Sequence, residues 1–149
     1  AMSAADTGHL VMSTLHTIDA PQSIARVLDF FPSEEREQVR KQMVGTLKAI
    51  IVQRMTVRAD GQGVVPAIEI MVNTPTVAKL ITENRSEKLH AAIETGTDDG
   101  MQNFNQSLFQ LVKDNIITKE EALDKATNPQ ALEMNFKGIF LSEGSRILN

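Results

Sequence analysis

Residues 10–15, Leu-Val-Met-Ser-Thr-Leu, form a nearly continuous apolar run, and Asp19 and Pro21 follow it as the start signal of a helix. Such a run, without polar alternation, suits a strand covered on both faces. Asp19 is a good N-cap, and Pro21 in the first turn gives up a donor that has no helical partner there. The stretch therefore predicts a buried strand that carries His16 and Thr17 at its end. One parallel-type strand cannot make a sheet alone, so its neighbours are expected from polypeptide ahead of residue 1.

The helix after Asp19 carries Ile24, Val27 and Leu28 inward and stops at Phe30-Phe31-Pro32. Ser33 is expected to cap the next helix, with Glu34 and Glu35 at its positive end. Val39, Met43, Leu47 and Ile50 or Ile51 recur at helical spacing and predict one long helix closed by Gln53 and Arg54. Gly45 costs that helix about 1 kcal/mol. Residues 55–58 and 64–72 flank Asp60-Gly61 and read as a hairpin, with Ile68, Ile70 and Val72 on one face.

From Thr74 onward the pattern is helical. Thr74-Pro75, Ser86, Thr118 with Glu121, and Asn128-Pro129 are start signals, and Gly96 is a stop. Val77, Leu80 and Ile81 mark one buried stripe, Leu89 and Ile93 a second, and Phe104, Leu108, Leu111 and Val112 a third. Leu132 and Phe136 belong to the last helix. Short, well-capped helices with short connections make a small helical bundle. The fold class is thus α/β over residues 1–73, with a strand and a hairpin, followed by a helical bundle over residues 74–149.

The bulk chemistry narrows the function. A net charge of −4, from 15 basic and 19 acidic residues, argues against a nucleic-acid partner. No apolar run approaches the roughly 20 residues that span a bilayer, and no leader marks the chain for export. With no cysteine there is neither a disulfide framework nor a thiolate zinc site. A reducing cytoplasm fits that composition. The three histidines share no spacing that would hold a metal. The charges around residues 34–41 read as a solvated helix face, with Glu37 and Lys41 paired.

His16, with Thr17 and the preceding Thr14, is the candidate for chemistry. An imidazole and hydroxyls on a rigid strand end can donate hydrogen bonds to a terminal phosphate or place an attacking water. The alternative is a strand-end histidine satisfied by a backbone carbonyl. His9 opens the same stretch, about 23 Å from His16 if the chain is extended at about 3.3 Å per residue. The two rings cannot share one site, and a loop-anchoring role competes for His9. His90 reads as structural. Arg54 could bind phosphate or a neighbouring carboxylate, or simply favour a helix dipole. Asp98, Asp99, Glu120 and Glu121 look like caps. No GxxxxGK[ST] loop and no GxSxG elbow occurs.

The stretch Thr7-Gly8-His9-Leu-Val-Met-Ser-Thr-Leu-His16-Thr17-Ile-Asp19-Ala-Pro21 closely resembles the histidine box of type IV pilus retraction ATPases, the twitching-motility PilT family. Phe31-Pro32, Gln53-Arg54, the Asp60-Gly61 hairpin through Glu69-Ile70, and Gly100-Met101-Gln102-Asn103-Phe104-Asn105-Gln106-Ser107-Leu108 resemble further family segments in the same order. The resemblance implies part of a RecA-like motor domain that hydrolyses ATP with Mg2+ to drive pilus disassembly. It implies a homo-hexamer in the cytoplasm, peripheral to the inner membrane through the pilus machine and its inner-membrane platform protein. His16 falls on the box histidine near the γ-phosphate, and His9 on the first histidine of the box. Thr14 and Thr17 fall beside them; Arg54 is a candidate for cofactor binding on its own chemistry alone.

In the family the Walker A loop, acidic box and Walker B strand lie upstream of the box. This chain alone is therefore expected to bind no nucleotide. Thr76-Val77-Ala78-Lys79-Leu80-Ile81-Thr82-Glu83 keeps the apolar frame of a retraction-linked motif but has Thr82 where the family carries arginine. That admits a retracting motor or a paralogue that assists one. Pilus-assembly and type II secretion ATPases share a similar box, commonly with a four-cysteine insert that is missing here. A non-enzymatic helical docking module is the remaining alternative.

Overall fold

Two antiparallel strands, β1 (Ala49–Val57) and β2 (Val64–Val72), pair along their whole length in the computed structural model, which describes residues 2–140. The register runs from Ala49 opposite Val72 to Val57 opposite Val64. Between them the Asp60 carboxylate accepts the Gln62 amide at 2.9 Å, and Gly61 and Gly63 take φ of 69° and 86°. Those left-handed angles cost glycine little, which is why the turn sits there. The inner face buries Val52, Thr56, Ala67, Glu69 and Met71. Ile51, Met55, Val57 and Val64 are exposed on the outer face.

The two edges of this hairpin are treated differently. Along β2, the Ile70 N–H donates to the Gln102 carbonyl at 2.8 Å and the Ile68 N–H to the Ser107 hydroxyl at 3.0 Å. Pro66 has no N–H to leave open. Along β1, the Val57 N–H donates to the Glu121 carboxylate at 2.8 Å.

Helices surround the inner face. They are α1 (Met2–Asp6), α2 (Ala20–Leu28), α3 (Arg36–Thr46), α4 (Pro75–Thr82), α5 (Leu89–Thr95), α6 (Phe104–Lys113), α7 (Lys119–Lys125) and α8 (Pro129–Phe136). Short 3-10 turns occupy Ser33–Glu35, Ser86–Lys88 and Thr97–Asp99. α6 packs on β2, α7 on β1, and α3 against α4. The core is one continuous cluster that includes Ile24, Met43, Val52, Met71, Ile81, Ile93, Phe104, Leu108 and Leu132. It runs unbroken across the junction at residues 73 and 74. Residues 141–149 of the expected second part lie outside the described residues.

Most start signals act as their chemistry dictates. Asp19 accepts the Gln22 amide at 2.8 Å, Thr74 the Val77 amide at 3.3 Å, and Asn128 the Ala131 amide at 3.1 Å. Ser33 and Ser86 instead open 3-10 turns and make no side-chain cap. Thr118 caps α7 by accepting the Glu121 amide at 3.2 Å, but the Glu121 side chain turns to Val57. A reciprocal capping box forms at Asn103 and Gln106.

Two larger expectations are corrected. The long helix ends at Thr46, and Ile50, Ile51, Gln53 and Arg54 belong to β1. The Asn73 amide donates to the Val44 carbonyl at 2.8 Å and the Leu47 carbonyl at 3.0 Å, satisfying groups a helix end leaves open. Beyond Gly45, the run Ile50-Ile51-Val52 prefers a pleated surface. Residues 9–17 form no strand, and Leu10 and Met12 are 88% and 89% exposed. A strand needs a neighbouring backbone to take its hydrogen bonds, and among the described residues none lies alongside.

Candidate functional site

Thr17 closes the irregular stretch and is tied to α2. Its hydroxyl lies 2.6 Å from the Ser23 hydroxyl, which itself donates to the Asp19 carbonyl at 2.9 Å. With the Ser23 proton on Asp19, Thr17 is the donor of the pair. His16, one residue earlier, is exposed and has no hydrogen-bond partner among the described residues. Thr14 is likewise exposed.

His9 stands apart. Its Nδ1 lies 3.1 Å from the Thr7 hydroxyl and 3.2 Å from the Ala4 carbonyl. Its own N–H donates to that same carbonyl at 3.1 Å. Gly8 makes the turn with φ of 87°. These contacts fasten the end of α1.

Arg54 projects from the inner face of β1. One Nη donates to the Lys125 carbonyl and to the Thr127 hydroxyl at 3.4 Å. The other reaches the Ile18 carbonyl at 3.5 Å. The guanidinium carbon sits 4.0 Å from the Phe104 ring centroid, a cation–π geometry. Arg54 thus joins the end of the 7–19 segment to α6 and to the α7–α8 connection.

Glu69 is the residue that sequence reasoning missed. Only 2% of it is exposed, and its Oε1 accepts the Ala20 N–H, the first of α2, at 2.8 Å. A carboxylate there satisfies an orphan donor at the positive end of a helix. Burial pushes the carboxyl above 4.5, the nearby Asp19 adds to that, and the Ala20 N–H, His90 and Arg54 oppose it. The available signal was parity: an acid between Ala67 and Met71 shares their face. Ile68, Ile70 and Val72 do share a face, and it is the less buried one.

Two concavities lie elsewhere. A small cavity of about 110 Å³ is bordered by Glu69, His90, Phe104, Asn105 and Asn128. A wider groove of about 430 Å³ runs past Ile70, Gln102, Gln106 and Gln110. Neither is lined by residues 7–19. Among the described residues no helix is long and apolar enough to cross a membrane.

Residues 1–124 match the family described as type II/IV secretion system protein. The chain is 42% identical over 130 residues to the type IV pilus retraction ATPase PilT of Pseudomonas aeruginosa, covering 87% of this chain and 38% of that protein. It is 39% identical over 132 residues to a twitching motility protein of Neisseria gonorrhoeae, covering 89% of this chain and 35% of that protein. The crystal structure of the pilus retraction motor PilT with bound ADP superposes with a TM-score of 0.76 at 36% identity, over 89% of this chain and 36% of that one. The chain therefore spans a little over a third of the length of the relatives it matches.

Proposed function

This chain belongs to the type II/IV secretion system protein family, and we propose on that footing that it is part of a motor ATPase powering type IV pilus retraction. The carrying observation is its likeness to a retraction ATPase and a twitching motility protein, at 42% and 39% identity over 87% and 89% of the chain. The reading assigns ATP as substrate, with Mg2+, which neutralises charge on a transferring phosphoryl group. It also assigns a homo-hexamer, working in the cytoplasm against an inner-membrane platform protein of the pilus machine.

Within that reading His16 addresses the γ-phosphate or the attacking water. What supports this is an exposed imidazole beside a segment end anchored on α2 and on the hairpin. Thr17 and Thr14 flank it. His9, turned back on α1, fixes the start of the segment. Arg54 is assigned to the segment's far end, because its donors already serve Ile18, Lys125 and Thr127. Closure on a nucleotide would then be felt in the C-terminal helices.

Thr82 favours a second reading within the same branch. Its hydroxyl donates to the Ala78 carbonyl at 2.8 Å in the last turn of α4, so no cation is offered at that position. An accessory motor that assists a retracting paralogue fits this. Complementation separates the readings. Expression of the intact protein in a retraction-deficient strain should restore twitching, and the His16→Ala protein should not. Restoration only when a second retraction ATPase is present supports the accessory role, and no effect on twitching in either background overturns both.

A further inference from the structure

Residues 7–19 form neither helix nor strand, so the place of His16 depends on how the end of that segment is held. Three successive residues are anchored there. Arg54 donates to the Ile18 carbonyl at 3.5 Å, Ser23 to the Asp19 carbonyl, and the Ala20 N–H donates to Glu69 at 2.8 Å. The Ser23 contact lies within α2 and its cap. Among the described residues, only Arg54 and Glu69 reach in from other elements with hydrogen bonds to residues 18–20.

The two side chains form one device. Arg54 lies opposite Ala67 and Glu69 opposite Val52, so they occupy the inner face one diagonal step apart on paired strands. Glu69 grips the N–H of a residue that is itself 0% exposed, where water cannot replace the acceptor. Arg54 carries the connection onward, through the Lys125 carbonyl and the Thr127 hydroxyl to the α7–α8 connection and through the Phe104 ring to α6.

We infer that Glu69 and Arg54 are positioning residues for ATP hydrolysis. They fix the backbone of residues 18–20, and through it His16 and Thr17, against the C-terminal helices. The inference rests on the function proposed above. Neither residue touches the phosphate. Misplacing a reacting group by about 1 Å can cost on the order of 10²-fold in rate, so an anchor of this kind is felt in turnover.

Steady-state ATP hydrolysis by the intact protein tests it, with three variants that separate geometry from charge. Glu69→Gln keeps an acceptor oxygen for Ala20, whereas Glu69→Ala removes it. Arg54→Met keeps an apolar stem over Phe104 and removes the donors. Glu69→Ala and Arg54→Met should lower kcat about 10-fold or more with KM for ATP within about twofold, and Glu69→Gln should keep kcat within about threefold. Melting above the assay temperature marks each variant as folded. If Glu69→Ala fails to fold, Arg54→Met and Glu69→Gln carry the decision. A folded Glu69→Ala or Arg54→Met protein with wild-type kcat overturns the inference, as does a Glu69→Gln protein as slow as Glu69→Ala. A wild-type protein that turns over no ATP overturns the proposed function itself, and the positioning role with it.

Discussion

Glu69 and Ala20 meet across 49 positions of sequence, carboxylate oxygen to backbone N–H, at 2.8 Å. The contact joins β2 to the first turn of α2 and sits where burial penalises the charge it carries.

That burial makes stability depend on pH in a defined direction. A carboxyl raised above 4.5 in the folded state favours the protonated form there. Its contribution to stability is complete below 4.5 and is lost as pH rises through the raised value. Glu69→Gln removes this component and leaves the rest of the titration in place. The melting temperature of the variant should match wild type at low pH and exceed it increasingly as pH rises. A difference that stays flat with pH rules this out.

ATP with Mg2+ should leave the melting temperature of the 149-residue chain unchanged. A phosphate cradle of backbone N–H groups with its lysine is missing from the sequence, and the single contact proposed for His16 does not replace it. Thermal scans with and without millimolar nucleotide measure this. A rise of several degrees, the mark of a ligand that binds the folded state, contradicts it.

The outer hairpin face should make the isolated chain self-associate. Met55 is 50%, Val57 49% and Val64 57% exposed on neighbouring positions, and Ile51, 63% exposed, lies on the same face beyond Gln53, a patch of the kind that seeks cover. Ile51→Lys with Met55→Lys should return the chain to monomer in sedimentation at micromolar concentration without lowering its melting temperature. A wild-type chain that sediments as a monomer removes the premise.

Asp19→Ala should cost roughly 1 kcal/mol in urea unfolding, because the Gln22 N–H loses its cap. Leu108→Ala, at a position 0% exposed, should cost roughly 2–5 kcal/mol by leaving a cavity beneath α6. Equal effects of the two substitutions would place α6 outside the core.

Local chemistry was legible in the sequence wherever it acts over a few residues. Asp19, Thr74 and Asn128 announce their helices because a side-chain oxygen three positions from an orphan N–H works in any context. The Asp60-Gly61 turn is of the same kind. The end of α3 was not legible: Leu47, Ile50 and Ile51 fit a helical stripe, and the deciding contact comes from Asn73. Arg54 was displaced with that boundary, from a helix end to a strand. The apolar composition of residues 10–15 signals a tendency to be covered, but covering takes a second surface. Glu69 escaped notice because its partner lies 49 residues away.

The unequal hairpin edges have a directional consequence. Gln102 and Ser107 take the outward donors of Ile70 and Ile68, Pro66 has none to offer, and Glu121 takes the terminal donor of β1. Any further strand can be added only beyond β1, and its ladder must stop short of Val57. The hairpin is thus a border piece with one permitted side for growth, and that side sets the order in which a larger sheet would be laid down.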